Sequence, residues 1–184
     1  HVDESPSLAI EDFCIRARRM VARYGVKIIF GDYFQLMFSR NRQRNWNTQE
    51  EMAYISKRVK GLARELGIPI VWLSQMSRAI DKELYRRPRL SDLRDTGQME
   101  QDADVIIFLW LQDLGKKTWQ KRIPDILPRL TMIPEPWRTG KEWKRHIRIV
   151  TCTVEKQREG RSGEDATLAF IKPGTRFVDA YKPP

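Results

Sequence analysis

Apolar residues recur with a helical period near the start of the chain. Ile10, Phe13, Cys14, Ala17, Met20, Val21 and Tyr24 follow the i, i+3, i+4, i+7 spacing of an amphipathic helix. Ser7 stands where a cap is expected, Glu11 and Asp12 suit the N-terminal end of a helix dipole, and Gly25 stops the run. The pattern then changes to "VKIIF", a continuous apolar run that predicts a buried strand ending at Asp32. A basic stretch with no acid, "SRNRQRNWN", follows with Arg40, Arg42 and Arg44. Thr48 and Glu51 have capping-box spacing and open a second helix, with Met52, Ile55, Val59, Leu62 and Leu66 on one face and Gly67 at its end. "IPIVWLS" gives a second buried strand ending at Ser74 and Gln75, and "DVIIFLW" a third. Continuous apolar strands alternating with helices predict an α/β fold, a mostly parallel sheet flanked by helices. "RIVTCTVE" and "ATLAFI", separated by "KQREGRSGED", add a C-terminal β-hairpin with a Gly-rich tip.

Residues 111–146 break this alternation. They hold nine Lys or Arg against four acids, and so carry half of the net charge of +10. Four of the ten prolines and three of the six tryptophans (Trp119, Trp137, Trp143) lie there. The segment reads as a basic Trp/Pro-rich insertion within a single domain spanning 1–184. A length of 184 residues suits one domain with a real core. The positive balance favours a polyanionic partner such as nucleic acid. Cys14 and Cys152 are far apart without metal-ligand spacing, so reduced thiols in a cytosolic protein are expected. No apolar run approaches the roughly 20 residues that span a bilayer.

Ligands of open parallel sheets bind outside the carboxyl ends of the strands, where Asp32, Ser74 and Gln75 fall. An acid after an apolar strand is the arrangement that holds Mg²⁺ on nucleotide phosphates, often through water. Spacing alone leaves a turn or cap role for Asp32 equally open.

Four ordered blocks narrow the choice. "GDYFQLM", "ISKRVKGLARELGIPIVWLSQMSR", "RPRLSDLRDTGQMEQDADVIIFL" and "VEKQREGRSGEDATLAF" together resemble the C-terminal RecA-like ATPase domain of the DnaB family of replicative helicases. The opening "DESPSLAIEDFCIRARRM" is similar to the family segment ahead of its Walker B strand. The resemblance implies an ATP-dependent DNA helicase with ATP and Mg²⁺ as cofactors. It implies roles for residues too. Asp32 matches the Walker B acid that positions Mg²⁺ through water. Gln75 matches the glutamine that senses the γ-phosphate. Lys156 and Arg158 match a pair that reaches a neighbouring subunit's γ-phosphate. Arg94, Asp95 and Gly97 match the loop that follows single-stranded DNA in the central channel. The implied partners are single-stranded DNA, further copies of the chain in a ring-shaped homo-hexamer, a primase and a helicase loader, in bacterial, phage or plasmid replication in the cytoplasm, with no membrane role.

Two departures accompany the match. The family's Gly-rich phosphate loop (Walker A) does not occur in the chain. "LGKKT" has Trp110 and Lys117, and "TGKEW" has Glu135 and Glu142, where that loop needs its first glycine and its hydroxyl. The chain therefore reads as the C-terminal two-thirds of a motor domain, expected to be inactive alone. Gly31 replaces the branched apolar residue usual before the acid, which is expected to loosen the strand end. Two other readings are a non-catalytic remnant that binds nucleic acid or joins a hexamer, and a RecA-like recombination mediator. "DLRDTGQMEQDAD" argues against the latter.

Overall fold

The structure is a computed structural model that describes residues 1–5, 7–77, 80, 86–93, 97–111, 147–172 and 176–179. The chain divides into two compact units, His1–Arg78 with Leu90–Ala103, and Ala79–Arg89 with Asp104–Pro184. The predicted insertion lies outside the described residues, apart from Leu111.

In the first unit, helix α1 (Ile10–Tyr24) buries Ile10, Phe13, Cys14 and Ala17, and ends at Gly25 with φ 63°, whose N–H donates to Val21 O. Glycine is suited to this left-handed position because it lacks a Cβ. Ser7 is not the cap. Ala9 holds that position, and the Ile10 N–H donates to Phe38 O at 2.9 Å through an Ala9–Phe38 parallel bridge. The backbone of a distant segment thus does what a cap side chain would do, while Ser7 Oγ donates to Leu36 O. Helix α2 (Thr48–Leu66) starts one residue earlier than its capping residues suggested. Asn47 and Glu50 form the reciprocal box, at 2.9 and 2.7 Å. Glu51 is thereby released for a different task. It is buried and accepts from the Ser39 N–H at 2.9 Å and from Arg42 at 3.1 Å.

Strands β1 (Ile29–Gly31) and β2 (Ile70–Trp72) pair in parallel with Gly31 opposite Trp72. Helices α1 and α2 bury their apolar faces with Phe34 and Met37, and Ile29, Ile70 and Trp72 pack on this cluster. The Trp72 ring lies 5.1 Å from Phe13 and 5.7 Å from Phe34 between centroids. It also fills the space a side chain would need at position 31, since a Cβ on Gly31 would stand 2.2 Å from the indole. Gly31 therefore does not loosen the strand end. It is buried, and it makes room for an aromatic ring on the neighbouring strand. Helix α3 (Gly97–Asp102) is tied to α2 by Ser56, whose hydroxyl donates to Asp102 at 2.8 Å.

The second unit is a four-stranded antiparallel sheet in the order β3 (Val105–Leu111), β4 (Ile147–Gln157), β5 (Glu164–Ile171), β6 (Arg176–Asp179). The run read as a third parallel strand is β3, and it pairs antiparallel with β4. An apolar run does not encode the direction of its neighbour, nor here does it mean burial on both faces, since Ile106 and Phe108 are buried while Val105, Ile107, Leu109 and Leu111 are exposed. The C-terminal hairpin is present as β4–β5, with Gly163 at φ 84° beside its tip. Thr151 and Thr153 are buried in this sheet, and the Thr153 hydroxyl donates to Asp165 at 2.7 Å. Cys14 is buried and Cys152 half-buried, both are unpaired, and burial pushes both thiols up. Among the described residues no helix is long and apolar enough to cross a membrane.

Because the Trp72 ring occupies the space beside Gly31, Gly31→Val is expected to cost about 1–3 kcal/mol by overpacking. Urea unfolding of Gly31→Val, Trp72→Leu and the double variant checks it. The double variant should be more stable than the sum of the single losses by at least about 1 kcal/mol. Simple additivity would mean that the indole yields without cost.

Candidate functional site

The parallel pairing sets the site. The ladder runs beyond the strand ends, with the Leu73 N–H donating to Gly31 O at 2.9 Å and the Phe34 N–H donating to Leu73 O at 2.8 Å. Asp32 and Gln75 thus leave the sheet at the carboxyl ends of two adjacent strands. Asp32 is exposed and its carboxylate engages none of the described residues. It does not cap the 3-10 turn Phe34–Leu36, whose cap position is Tyr33, and it joins no ion pair among the described residues. The described residues thus give Asp32 no cap role in this turn. The Gln75 side chain is exposed and likewise unengaged among the described residues, although its backbone is held firmly.

Gln35, in the middle of "GDYFQLM", does the holding. Its Nε2 donates to Gln75 O at 3.1 Å and to Ser74 Oγ at 3.0 Å, and its Oε1 accepts from the Gln75 N–H at 3.3 Å. The next two residues continue into a second contact within this unit. Met76 bridges antiparallel to Leu93, and the Ser77 N–H donates to Asp92 O at 2.8 Å. Leu93 directly precedes the predicted DNA loop. Arg94 and Asp95 lie outside the described residues, whereas Gly97 is the exposed first residue of α3, and a side chain there would meet no atom within 4 Å.

Behind Asp32, two carboxylates from the helices pin the segment that leaves the turn. Glu51 takes Ser39 and Arg42, as above. Glu11 accepts from Ser39 Oγ at 2.7 Å, the Arg40 N–H at 3.2 Å and Asn41 at 3.3 Å. Burial would raise the Glu11 pKa, but these hydrogen bonds outweigh it and hold the carboxyl below its ordinary value. Arg40 also pairs with Asp12. Two of the three arginines of "SRNRQRNWN" are therefore committed to neighbouring acids.

Lys156 and Arg158 lie in the second unit, at the end of β4 and just past it. Lys156 sits opposite Ile106 in the ladder and is half-buried. Arg158 is exposed, its N–H donates to Asp104 O at 3.0 Å, and its guanidinium lies 3.7 Å from the Asp104 carboxylate. Among the described residues no three His, Cys, Asp or Glu side chains gather as a metal cage. A cleft of about 580 Å³ between residues 1–4 and Arg16, Arg19 and Arg23 of α1 includes none of the candidate residues. Sequence reasoning missed Gln35, Glu11 and Glu51. The only signal for Gln35 was its place three residues after a strand-end acid, and long-range partners of the two glutamates leave no mark on local spacing.

Comparison with known proteins gives the family. The DnaB-like helicase C-terminal domain family matches residues 1–179. The replicative DNA helicase DnaB of Rickettsia bellii is 40% identical over 182 residues, covering 97% of this chain and 34% of the relative. DnaB of Geobacillus stearothermophilus is 32% identical over 179 residues, with the same shares covered. The chain thus spans about a third of the length of these relatives. The solved structure of a DnaB-like replicative helicase, described with its interactions with primase, matches with a TM-score of 0.67 at 29% identity, over 94% of this chain and 35% of that one. A second solved structure, an ATPase domain, matches with a TM-score of 0.68 at 30% identity, over 94% of this chain and 52% of that one. With an α/β RecA-like fold and a family match over nearly its whole length, the chain belongs to the DnaB-like helicase C-terminal domain family.

Proposed function

We propose that the chain is part of an ATP-dependent replicative DNA helicase that works as a ring-shaped homo-hexamer on single-stranded DNA. The observation that carries this reading is the pair of exposed side chains, Asp32 and Gln75, unengaged among the described residues, just past the ends of adjacent parallel strands in a member of this family. In open α/β sheets this is where ligands sit. A single free carboxylate, with no protein cage among the described residues, suits Mg²⁺, which usually keeps waters and substrate phosphates as its other ligands. Bound there with ATP, Mg²⁺ would neutralise charge developing on the phosphates. Asp32 would hold the ion, through water. The Gln75 amide, able to donate and accept at once, reports whether a γ-phosphate is present.

Lys156 and Arg158 are the pair proposed to serve a neighbouring subunit's nucleotide. Arginine fits because its planar fork meets phosphate oxygens and stays charged. In the single chain Arg158 is exposed and lies 3.7 Å from Asp104. Arg94, Asp95 and Gly97 are proposed to follow the DNA backbone, with a primase and a loader as further partners of the whole helicase.

In a ring-forming protein that carries this chain together with a phosphate loop, Arg158→Ala should abolish hydrolysis while ATP still binds to the variant subunit. A loss of at least about 10³-fold is expected. Mixed rings of variant and unaltered subunits check the direction of action. Loss should fall on the site that faces the variant subunit; loss confined to the variant's own site would place the finger in cis.

The insertion is proposed as an auxiliary contact for single-stranded DNA, through its Lys and Arg on phosphates and Trp119, Trp137 or Trp143 on bases. Replacing Gly115 to Arg145 by a short Gly/Ser bridge should weaken binding and flatten its salt dependence by two or more contacts, at about 0.7 log units per contact. Anisotropy titrations at several salt concentrations, on proteins of equal thermal stability, make the comparison. An unchanged slope would leave the insertion without a role on DNA.

A further inference from the structure

The candidate roles of Asp32 and Gln75 depend on where their backbones are held, and the strands alone do not hold both. β2 ends at Trp72, and the last ladder bonds are made by Leu73. Beyond that point β1 has turned away into the 3-10 turn Phe34–Leu36, so the Gln75 peptide groups face no strand on that side. Gln35 replaces the missing strand. Its primary amide presents a donor and an acceptor side by side, as a peptide edge does, with a second N–H to spare. It uses both on a single residue, the N–H and the C=O of Gln75, and adds Ser74 Oγ with its second N–H. The two backbone groups fix the orientation of the amide, since only the oxygen can accept from Gln75 N–H and only the nitrogen can donate to Gln75 O. Gln35 itself is fixed from the other side. Its turn closes on Tyr33 and Phe34 carbonyls, and Phe34 is among the most deeply buried side chains.

We propose that Gln35 is a positioning residue that locks the backbone of the sensor Gln75 in register with the segment carrying Asp32. It leaves the Gln75 side chain free while preventing the peptide from rotating. This inference rests on the reading of Gln75 as the γ-phosphate sensor, but its geometric content does not. Neither isosteric carbon nor an anion can do the same work. Leucine offers no donor or acceptor. An ionised glutamate accepts from the Gln75 N–H but repels its carbonyl, whereas a protonated glutamate restores the donor.

Two measurements separate the proposal from the functional reading. The first uses the chain itself. NMR amide exchange, expressed as protection relative to the unstructured rate, is compared between the unaltered chain, Gln35→Leu and Gln35→Glu. Gln35→Leu should lower protection at Gln75 by roughly fivefold or more, while α1 and α2 amides keep theirs. Unchanged protection at Gln75 would overturn the proposal. The second measures hydrolysis in the ring-forming protein with its phosphate loop. Gln35→Leu should lower kcat by about tenfold or more with KM for ATP unchanged. Gln35→Glu should regain activity as pH falls toward the titration of its carboxyl. A kcat within twofold of the unaltered protein, or a pH profile for Gln35→Glu that matches it, would also overturn the proposal. If the unaltered ring hydrolyses no ATP, the functional reading fails, and the exchange result alone decides the role of Gln35.

Discussion

The pairing of Gly31 with Trp72 is the constraint on which the first unit depends. A parallel register is set by which residues can stand side by side, and here the absence of a side chain on one strand accommodates the largest one on the other. The indole then reaches Phe13 on α1 and Phe34 in the following turn. One ring therefore ties the strand pair, the helix and the turn that carries Gln35. Its Nε1 is buried and finds no partner among the described residues. The position is thus kept by ring packing, not by a hydrogen bond.

From that register the candidate site follows with few further requirements. Asp32 and Gln75 leave neighbouring strands at the same end. Glu51 and Glu11 fix the segment after the turn by bonding its backbone and Ser39, so that the exposed acid stands on a rigid base. The low position of the Glu11 carboxyl means that this support is present above its unfolded pKa and is lost as pH falls through its lower folded value. Rigidity behind the site, with free side chains in front, is what a group that must meet a phosphate needs.

Much of this was legible from pattern. The helical stripe from Ile10 to Ala17 follows from periodicity, because burial on one face leaves a repeating mark. The strand before Asp32 follows from a continuous apolar run, but that run overstates its burial, since Ile29 is half-buried and Phe30 exposed. Ends of elements were less legible. Ser7 and the Thr48–Glu51 pair have the right chemistry for caps, yet the Phe38 carbonyl and the Asn47–Glu50 box take those places. Several residues near a helix start can cap it, and tertiary contacts choose among them. The direction of β3 was not legible, since it depends on a partner some 40 residues away in the chain. β6, four residues long, is too short to show a period. Gly31 was read as a weakness because its compensating residue lies on another strand.

The claim most worth testing is that Asp32 and Gln75 form one end of a metal–nucleotide site. Mn²⁺·ATP at millimolar concentration, added to the isotopically labelled chain, broadens NMR signals of nuclei near the bound ion. Broadening of the backbone signals of 31–35 and 74–76, removed by Asp32→Asn, is the result this account predicts. Broadening confined to other residues, or unaffected by Asp32→Asn, would contradict it.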